Sequence, residues 1–251
     1  MPWALGRRLL IISILGAFVA LLGIGAWFLF AYEGPSCSDG EQNQDEEGVD
    51  CGGSCAYLCS VGLVPPSVEF ARYVSPQSGR TDVIAYIENS NAAAAARGVS
   101  FTIELLNSAN AVVATKEGSV DLPPSSVVPV FVPNFFSGSQ DVARVFLEID
   151  TATFRWFSYR DERTVPRVLG TTIEAGDAPR ITAQLANDSA VPLRGVRAVI
   201  TVFNAAGNAI AASQTVVDTI PAQGEARAVF TWRIPFPETP SRVEVIPVLP
   251  L

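Results

Sequence analysis

The sequence predicts a mainly β protein in three parts: a transmembrane helix near the amino terminus, a small disulfide-rich module, and two tandem β-sandwiches. Three observations lead to this prediction. Residues 9–30 form an uncharged apolar run, all four cysteines lie between Cys37 and Cys59, and β-type segments recur about 97 residues apart in the rest of the chain. The predicted parts are residues 1–31 (a cytoplasmic stub and the transmembrane helix), 32–62 (the cysteine module and a linker), 63–162 and 163–251 (the sandwiches).

The apolar run is long enough to cross a bilayer. At about 1.5 Å per residue it extends roughly 33 Å, against a hydrocarbon core of about 30 Å. Arg7 and Arg8 precede it and Glu33 follows it, so the positive-inside rule predicts a cytoplasmic amino terminus and an extracellular remainder. A cleaved signal peptide is the alternative, but its apolar region is usually shorter, and the best cleavage site, 29–31, lacks a small first residue. We therefore expect a single-pass membrane protein.

Composition excludes several function classes. The formal net charge is −8 and there is no histidine, which removes Ser-His-Asp and Cys-His catalysis and the common zinc sites. No basic tract predicts nucleic-acid binding. We expect no enzyme and no catalytic residues. Two alternatives stay open: a hydrolase with paired carboxylates such as Asp161 and Glu162, and a Ser-Lys dyad built on Lys116, the single lysine.

An internal repeat predicts the two sandwiches. The triplet 97–99 (Arg-Gly-Val) recurs at 194–196, the Asn-containing hairpin at 107–110 recurs at 204–208, and the Asn-rich turn at 89–91 recurs at 187–189. The repeat length is that of an immunoglobulin-like or fibronectin III-like sandwich of about seven strands. Segment 227–234 alternates in polarity, and we expect Ala228, Phe230 and Trp232 to share one face.

Four local features carry further expectations. Residues 61–66 predict a short stiff linker, and the alanine run 92–96 predicts a loop. Asn187-Asp188-Ser189 matches a glycosylation sequon, but it lies at a predicted turn, where these residues are common anyway. The aromatic residues at 135–136 and 154–159 predict core packing, with an exposed ligand surface as the alternative.

The cysteine module is short, acidic and outside the membrane. The spacing is C-x13-C-x3-C-x3-C, and an even cysteine count favours two disulfides among Cys37, Cys51, Cys55 and Cys59, with the pairing open. A four-thiolate metal site is the alternative. Oxygen ligands at short spacings also predict a candidate calcium site, against the alternative of a solvated acidic loop. The candidate ligands are Asp39, Asn43, Asp45, Glu47 and Asp50.

The pattern C-x-D-G-x-x-N-x-x-E-x-x-V-D-C-G-G-x-C resembles a short module of secreted and surface proteins. The matching positions are Cys37, Asp39, Gly40, Asn43, Glu46, Val49, Asp50, Cys51, Gly52, Gly53, Cys55 and Cys59. Gln44 replaces a usual glycine, and the last cysteine spacing is longer by one residue. The whole arrangement resembles uncharacterised single-span bacterial envelope proteins with this module and tandem immunoglobulin-like repeats. That resemblance implies a surface location and no known activity.

These observations favour a non-catalytic, membrane-anchored surface protein that functions in adhesion, envelope scaffolding or assembly of a surface structure. The expected partners are the lipid bilayer, through residues 9–30, and a protein or another component of the envelope. The alternatives are a calcium-dependent ligand-binding module and the carboxylate hydrolase. No cofactor other than calcium is indicated by the sequence.

Overall fold

The computed structural model describes residues 2–30, 36–43, 45–77, 79–138, 141–161 and 163–251. They form two compact units, Met1–Cys55 and Ala56–Leu251. Ala31 and Glu33 of the anchor prediction, Gln44 of the cysteine module and Glu162 of the carboxylate pair lie outside the described residues. The domain boundaries after residues 31, 62 and 162 stay predictions.

The first unit contains one long helix, α1 (Pro2–Phe30). Its segment Gly6–Trp27 has a mean hydropathy of 2.6 and no buried residue. Such a segment is long and apolar enough to cross a membrane. A helix is suited to this environment because it satisfies its backbone hydrogen bonds internally. The apolar amino-terminal helix is therefore confirmed. A signal sequence can also be this long and apolar, so retention of the helix in the mature protein and its orientation stay predictions.

The first sandwich contains seven strands among the described residues. They are β1 (Ser67–Gln77), β2 (Arg80–Asn89), β3 (Ala94–Leu106), β4 (Val112–Leu122), β5 (Ser126–Ser137), β6 (Arg144–Ile149) and β7 (Trp156–Ser158). One sheet has the order β1-β2-β5 and the other β4-β3-β6, with β7 also paired to β3. Side chains between the sheets, including Val83, Ile87, Ile103 and Leu105, form the core.

The second sandwich repeats this order with six strands among the described residues. They are β8 (Arg167–Glu174), β9 (Arg180–Ala186), β10 (Leu193–Phe203), β11 (Ala209–Ile220), β12 (Glu225–Thr231) and β13 (Arg242–Val248). The sheets are β12-β9-β8 and β11-β10-β13. In β12, Ala228 and Phe230 are buried, and Trp232 just beyond it packs on the same core. The predicted face is thus confirmed.

The predicted repeat is visible in the hairpins. The β3–β4 turn is closed by a hydrogen bond from the Asn107 amide to the Ala111 carbonyl at 3.0 Å, and the β10–β11 turn by one from Asn204 to Asn208 at 3.0 Å. Both turns contain a residue with positive φ, Asn110 and Gly207. Asn and Gly tolerate that conformation, which explains why the sequence uses them there.

A buried asparagine joins two loops in each sandwich. The side-chain amide of Asn89 donates to the carbonyls of Ala94 and Pro123, both at 2.8 Å. The side-chain amide of Asn187 donates to Val191 and Pro221, both at 2.9 Å. Asn187 is only 1% exposed. The glycosylation sequon is therefore a false match, because the amide that would be modified is buried and bonded within the sandwich.

The loop prediction for the alanine run was wrong for residues 94–96, because a neighbouring strand pairs with them. Residues 94–96 of the alanine run form the start of β3, pair with β7 and are buried. Small side chains fit beneath that pairing.

The chain around the expected linker, residues 61–66, is bonded to the first sandwich. The Leu58 amide, just before the linker, donates to the Trp156 carbonyl at 2.8 Å, and the Val64 backbone exchanges hydrogen bonds with the Asn91 side chain. The segment is thus fixed to the first sandwich.

An apolar cluster joins the two sandwiches. It contains Val74, Ile84 and Tyr86 of the first and Val199 and Ala212 of the second, each at most 7% exposed. Successive strand residues point to opposite faces. One face of β2 and β10 therefore fills each sandwich's own core, while the other face forms the contact between sandwiches.

Polar bonds align this contact. The Tyr86 hydroxyl donates to the Thr201 hydroxyl at 2.7 Å, and the Arg197 guanidinium donates to the Pro129 carbonyl at 3.2 Å. Burial raises the pKa of Tyr86 to about 12 and lowers the pKa of Arg197. A buried polar group must be hydrogen-bonded to be tolerated, so these bonds favour one relative placement of the two sandwiches.

Candidate functional site

The acidic cysteine module is the first candidate site. Cys37 is bonded to Cys55, and Cys51 and Cys59 are also disulfide-bonded. The chain has no free cysteine. Oxidised sulfur lacks the thiolate needed for metal binding, so the four-thiolate alternative is excluded.

The carboxylates of the module accept hydrogen bonds from its own backbone. Asp39 accepts from the Ser36 amide at 2.9 Å and the Glu41 amide at 3.0 Å, and Asp50 accepts from the Gly40 amide at 3.2 Å. The Ser36 amide, followed by the Asn43 side chain and the Glu41 amide, lowers the pKa of Asp39 below its ordinary value. These acids therefore hold the turns of a segment that is too short to bury a core.

Glu46, which the calcium prediction omits, is the most buried acid of the module at 8% exposed. Its Oε2 accepts from the backbone amides of Asn43 and Asp50, both at 3.3 Å, while Oε1 lies 3.1 Å from Cys55 Sγ. The module pattern includes this glutamate, but a run of three acids gives no indication of which one turns inward. Burial is the property that the sequence does not reveal.

The candidate calcium ligands converge only in part. Asn43 donates to Asp39 at 2.9 Å, and Asp45 accepts from the Ser54 hydroxyl at 2.7 Å. Glu47 packs against Gly52 instead. Within the described part of the chain, one group of three Cys, Asp or Glu ligand atoms lies within 4.8 Å, namely Cys37, Glu46 and Cys55. Two of these atoms belong to a disulfide. Calcium binding stays a prediction.

The Gly-Gly pair after Cys51 is required by close packing. Gly52 and Gly53 both have positive φ, at 76° and 58°. A Cβ on Gly52 would lie 2.6 Å from the Glu47 Cβ, and one on Gly53 would overlap the Asp45 carbonyl oxygen. The backbone of the acidic loop thus lies directly against these glycines.

Gly53→Ala is expected to prevent the module from reaching its native form. Overlap with a carbonyl group and a strained φ together cost about 3 kcal/mol or more. Mass spectrometry after thiol alkylation, without reduction, should show chains with free thiols. Gly40→Ala is the matched control, because Gly40 also has positive φ but no atom within 4 Å of its Cβ position. Equal disulfide formation in both variants would contradict the packing argument.

A cleft of about 470 Å³ in the sandwich unit is the second candidate site. Tyr159, Asp161 and Arg163 line it together with proline-rich turns and segment 247–251. The Arg163 Nε lies 2.8 Å from Asp161 Oδ2, and the Tyr159 hydroxyl donates to the same oxygen at 2.9 Å. Bonding to Arg163 lowers the pKa of Asp161 to about 2. That carboxylate stays ionised near neutral pH, which disfavours a role as a general acid.

Asp161→Asn is expected to lower stability at pH 7 by about 1 kcal/mol, after allowance for solvent screening. The folded pKa of about 2 lies below the ordinary 3.8, so the stabilisation is present above pH 4 and is lost as pH falls towards 2. Urea unfolding of wild type and variant should therefore give different midpoints at pH 7 and converging midpoints near pH 2.

The control for this measurement is Asp218→Asn, an exposed aspartate on β11. We expect it to change stability by less than about 0.5 kcal/mol at either pH. A difference between wild type and Asp161→Asn that is the same at pH 7 and pH 2 would contradict the assignment.

The remaining catalytic and ligand-binding alternatives gain no support from the geometry. Lys116 is exposed, donates to the Asn134 carbonyl at 3.1 Å and lies 5.1 Å from the centre of the Phe135 ring. A catalytic lysine needs the desolvation that lowers its pKa. Phe135 and Trp156 are buried core residues at 4% and 5% exposed, so the core interpretation of the aromatic residues is confirmed for these two.

Comparisons with known proteins show no family. No protein-family model matches the sequence, and no curated protein matches it. Red sea bream transglutaminase shares 12% identity at a TM-score of 0.26, over 74% of this chain and 31% of that protein. A putative beta-galactosidase from Bacteroides fragilis shares 12% identity at a TM-score of 0.23, over 68% of this chain and 33% of that protein. The chain thus spans about a third of the length of either protein, and similarity at these scores carries no argument about activity.

Proposed function

We propose that this chain is a non-catalytic, membrane-anchored surface protein that presents a rigid pair of β-sandwiches to partner proteins. The observation that carries the proposal is the apolar contact between the sandwiches, built on Ile84, Tyr86 and Val199. If the two sandwiches moved independently on a flexible linker, these apolar side chains on the second face of β2 and β10 would be exposed to water. A rigid pair keeps its exposed surfaces in a constant arrangement, which suits adhesion or assembly.

The sandwiches are of the immunoglobulin or fibronectin III type. The support is that each has the same two sheets, with the first, second and fifth strands in one and the third, fourth and sixth in the other. Each is also about 100 residues long, as such domains are. Many domains of this architecture on cell surfaces bind other proteins, which supports the proposal by analogy.

The helix α1 anchors the chain, with its amino terminus in the cytoplasm and the sandwiches outside. Its apolar length and the arginines Arg7 and Arg8 support this orientation. The disulfides also fit an oxidising exterior. The resemblance to single-span bacterial envelope proteins is in keeping with the same location.

The absence of a catalytic role is supported by the state of the ionisable groups. Asp161 is bonded to Arg163 and Tyr159, and the acids of the cysteine module accept backbone amides. Groups used in this way stabilise structure. A catalytic acid or base needs a pKa near the working pH.

Photo-cross-linking in intact cells tests the proposal. A benzophenone amino acid is placed at Phe146 or Val216 on the sandwiches, and at Val49 in the cysteine module as a control of matched exposure (54%, 59% and 56%). We expect protein adducts from at least one sandwich position and none from Val49. Adducts from Val49 alone, or none at all, would count against the proposal. Adducts that disappear with EDTA would favour the calcium-dependent alternative.

A further inference from the structure

The strand β8 is exposed along its entire length. All eight of its residues are solvent-exposed. It forms one edge of the β12-β9-β8 sheet, and its described pairing is with β9 alone. Val168, Leu169 and Ile173 are 38%, 47% and 40% exposed. An apolar edge strand exposes unpaired backbone groups that can extend the sheet with another strand.

A β-bulge sets which side chains of β8 share a face. The register with β9 shifts between Val168 and Gly170, so that Leu169 is the extra residue. Val168, Thr171 and Ile173 lie opposite Leu185, Ala183 and Ile181, the core-facing residues of β9. Arg167 and Glu174 lie opposite Ala186 and Arg180, and therefore share the outer face. Without the bulge, these two charged residues would point to opposite faces.

A second copy of β8 can pair with β8 so that opposite charges face each other. Val168 and the bulged Leu169 are counted here as one position of the strand. The strand has seven positions and Thr171 is the central one. In an antiparallel pair of two copies centred on Thr171, Arg167 of each copy lies opposite Glu174 of the other. Val168 and Leu169 then lie opposite Ile173, and Gly170 opposite Thr172. Because Thr171 faces its own counterpart, the arrangement satisfies a two-fold axis, as an isologous dimer requires.

We propose that β8 is the interface of a symmetric homodimer, in which two copies pair through β8 to form a continuous six-stranded sheet. The charge pattern favours a second copy over a foreign strand, since both ends of β8 find opposite charges in another β8. Of the features that often protect edges, the strand contains one bulge but no proline and no lysine. In the single chain Arg167 forms an ion pair with Asp188 at 2.5 Å, and in the dimer its guanidinium would lie between Asp188 and Glu174 of the other copy.

This inference goes beyond the proposed function, because it concerns contact between copies of the chain. Thr171→Cys in the full chain, reconstituted in lipid vesicles, tests it directly. Opposite residues of an antiparallel pair have Cβ atoms about 4.5–5.5 Å apart, so mild oxidation should link two chains through this position. The native cysteines are all in disulfides. Gln214→Cys, an exposed position on β11, is the control and should give no linked dimer.

Reversing the charges of Arg167 and Glu174 provides a second test of the dimer. Glu174→Arg places two arginines opposite each other at both ends of the interface, and Arg167→Glu places two glutamates there. Each variant alone should self-associate about tenfold more weakly. Mixed with each other under different affinity tags, the two variants should copurify, because every opposite pair is then oppositely charged.

Two results would overturn the proposal. One is the absence of a Thr171→Cys dimer together with failure of the two charge variants to copurify. The other is a Gln214→Cys dimer that forms as readily as the Thr171→Cys dimer, because the linkage would then not depend on β8. Either result would leave the proposed function intact, whereas absence of all adducts from the sandwiches would count against that function and not against the dimer.

Discussion

Asn187→Ala is expected to destabilise the sandwich unit by about 2–4 kcal/mol, one of the largest effects of any single substitution in this chain. The side chain donates to Val191 and Pro221 and accepts the Ser189 amide, with every distance at 2.9 Å. Alanine leaves the buried Ser189 amide without a partner and removes the partly buried hydrogen bonds of the Val191 and Pro221 carbonyls. A buried group left unsatisfied costs about 1–3 kcal/mol and a partly buried one less, and the costs are not additive. Chemical denaturation of the full chain measures the loss.

Asn89→Ala should behave alike, because its amide bonds to Ala94 and Pro123 in the same way. Gln214→Ala, at an exposed position on β11, is the control, with an expected change below about 0.5 kcal/mol. A loss of less than 1 kcal/mol for both asparagine variants would show that the turns hold without these amides.

Val199→Asp is expected to separate the two sandwiches. Val199 is 1% exposed and packs in the cluster that joins them. An unpaired carboxylate cannot stay buried there, because an uncompensated buried charge typically costs about 3–5 kcal/mol. The contact can open and hydrate the charge while each sandwich keeps its own core. Calorimetry should therefore show one unfolding transition for the wild type and two for the variant.

Val216→Asp is the matched control, since it introduces the same charge on the same sheet at a position that is 59% exposed. It should keep a single transition and lose less than about 0.5 kcal/mol. Two transitions in the wild type, or a single unshifted transition in Val199→Asp, would be incompatible with a stabilising contact between the sandwiches.

Much of the fold was predictable because its signals are local. Asn and Gly mark the hairpins at 107–110 and 204–208, alternation marks the buried face of β12, and the apolar run marks α1. The contact between sandwiches also left a signal. Segments 83–87 and 198–203 are apolar on both faces, which is unusual for a sandwich strand with one face in water. The sequence does not say which surface covers the second face.

The candidate site was less predictable because its properties depend on burial and register. Glu46 stands between two other acids, and only the folded loop distinguishes it. The alanine run at 94–96 reads as a loop, since its strand character comes from pairing with β7 more than 50 residues away. In β8 a single bulged residue decides that Arg167 and Glu174 share a face. Such a shift has no signature in the order of the residues.

The rigid arrangement of the two sandwiches is the central claim, and a distance measurement between them tests it most directly. Spin labels on cysteines introduced at Phe146 and Val216 place one probe on each sandwich at exposed positions, and the native cysteines, all in disulfides, remain unlabelled. Double electron–electron resonance on the full chain, diluted with unlabelled protein, should give one narrow distance distribution that broadens in Val199→Asp. A broad or bimodal distribution in the wild-type background would contradict the claim.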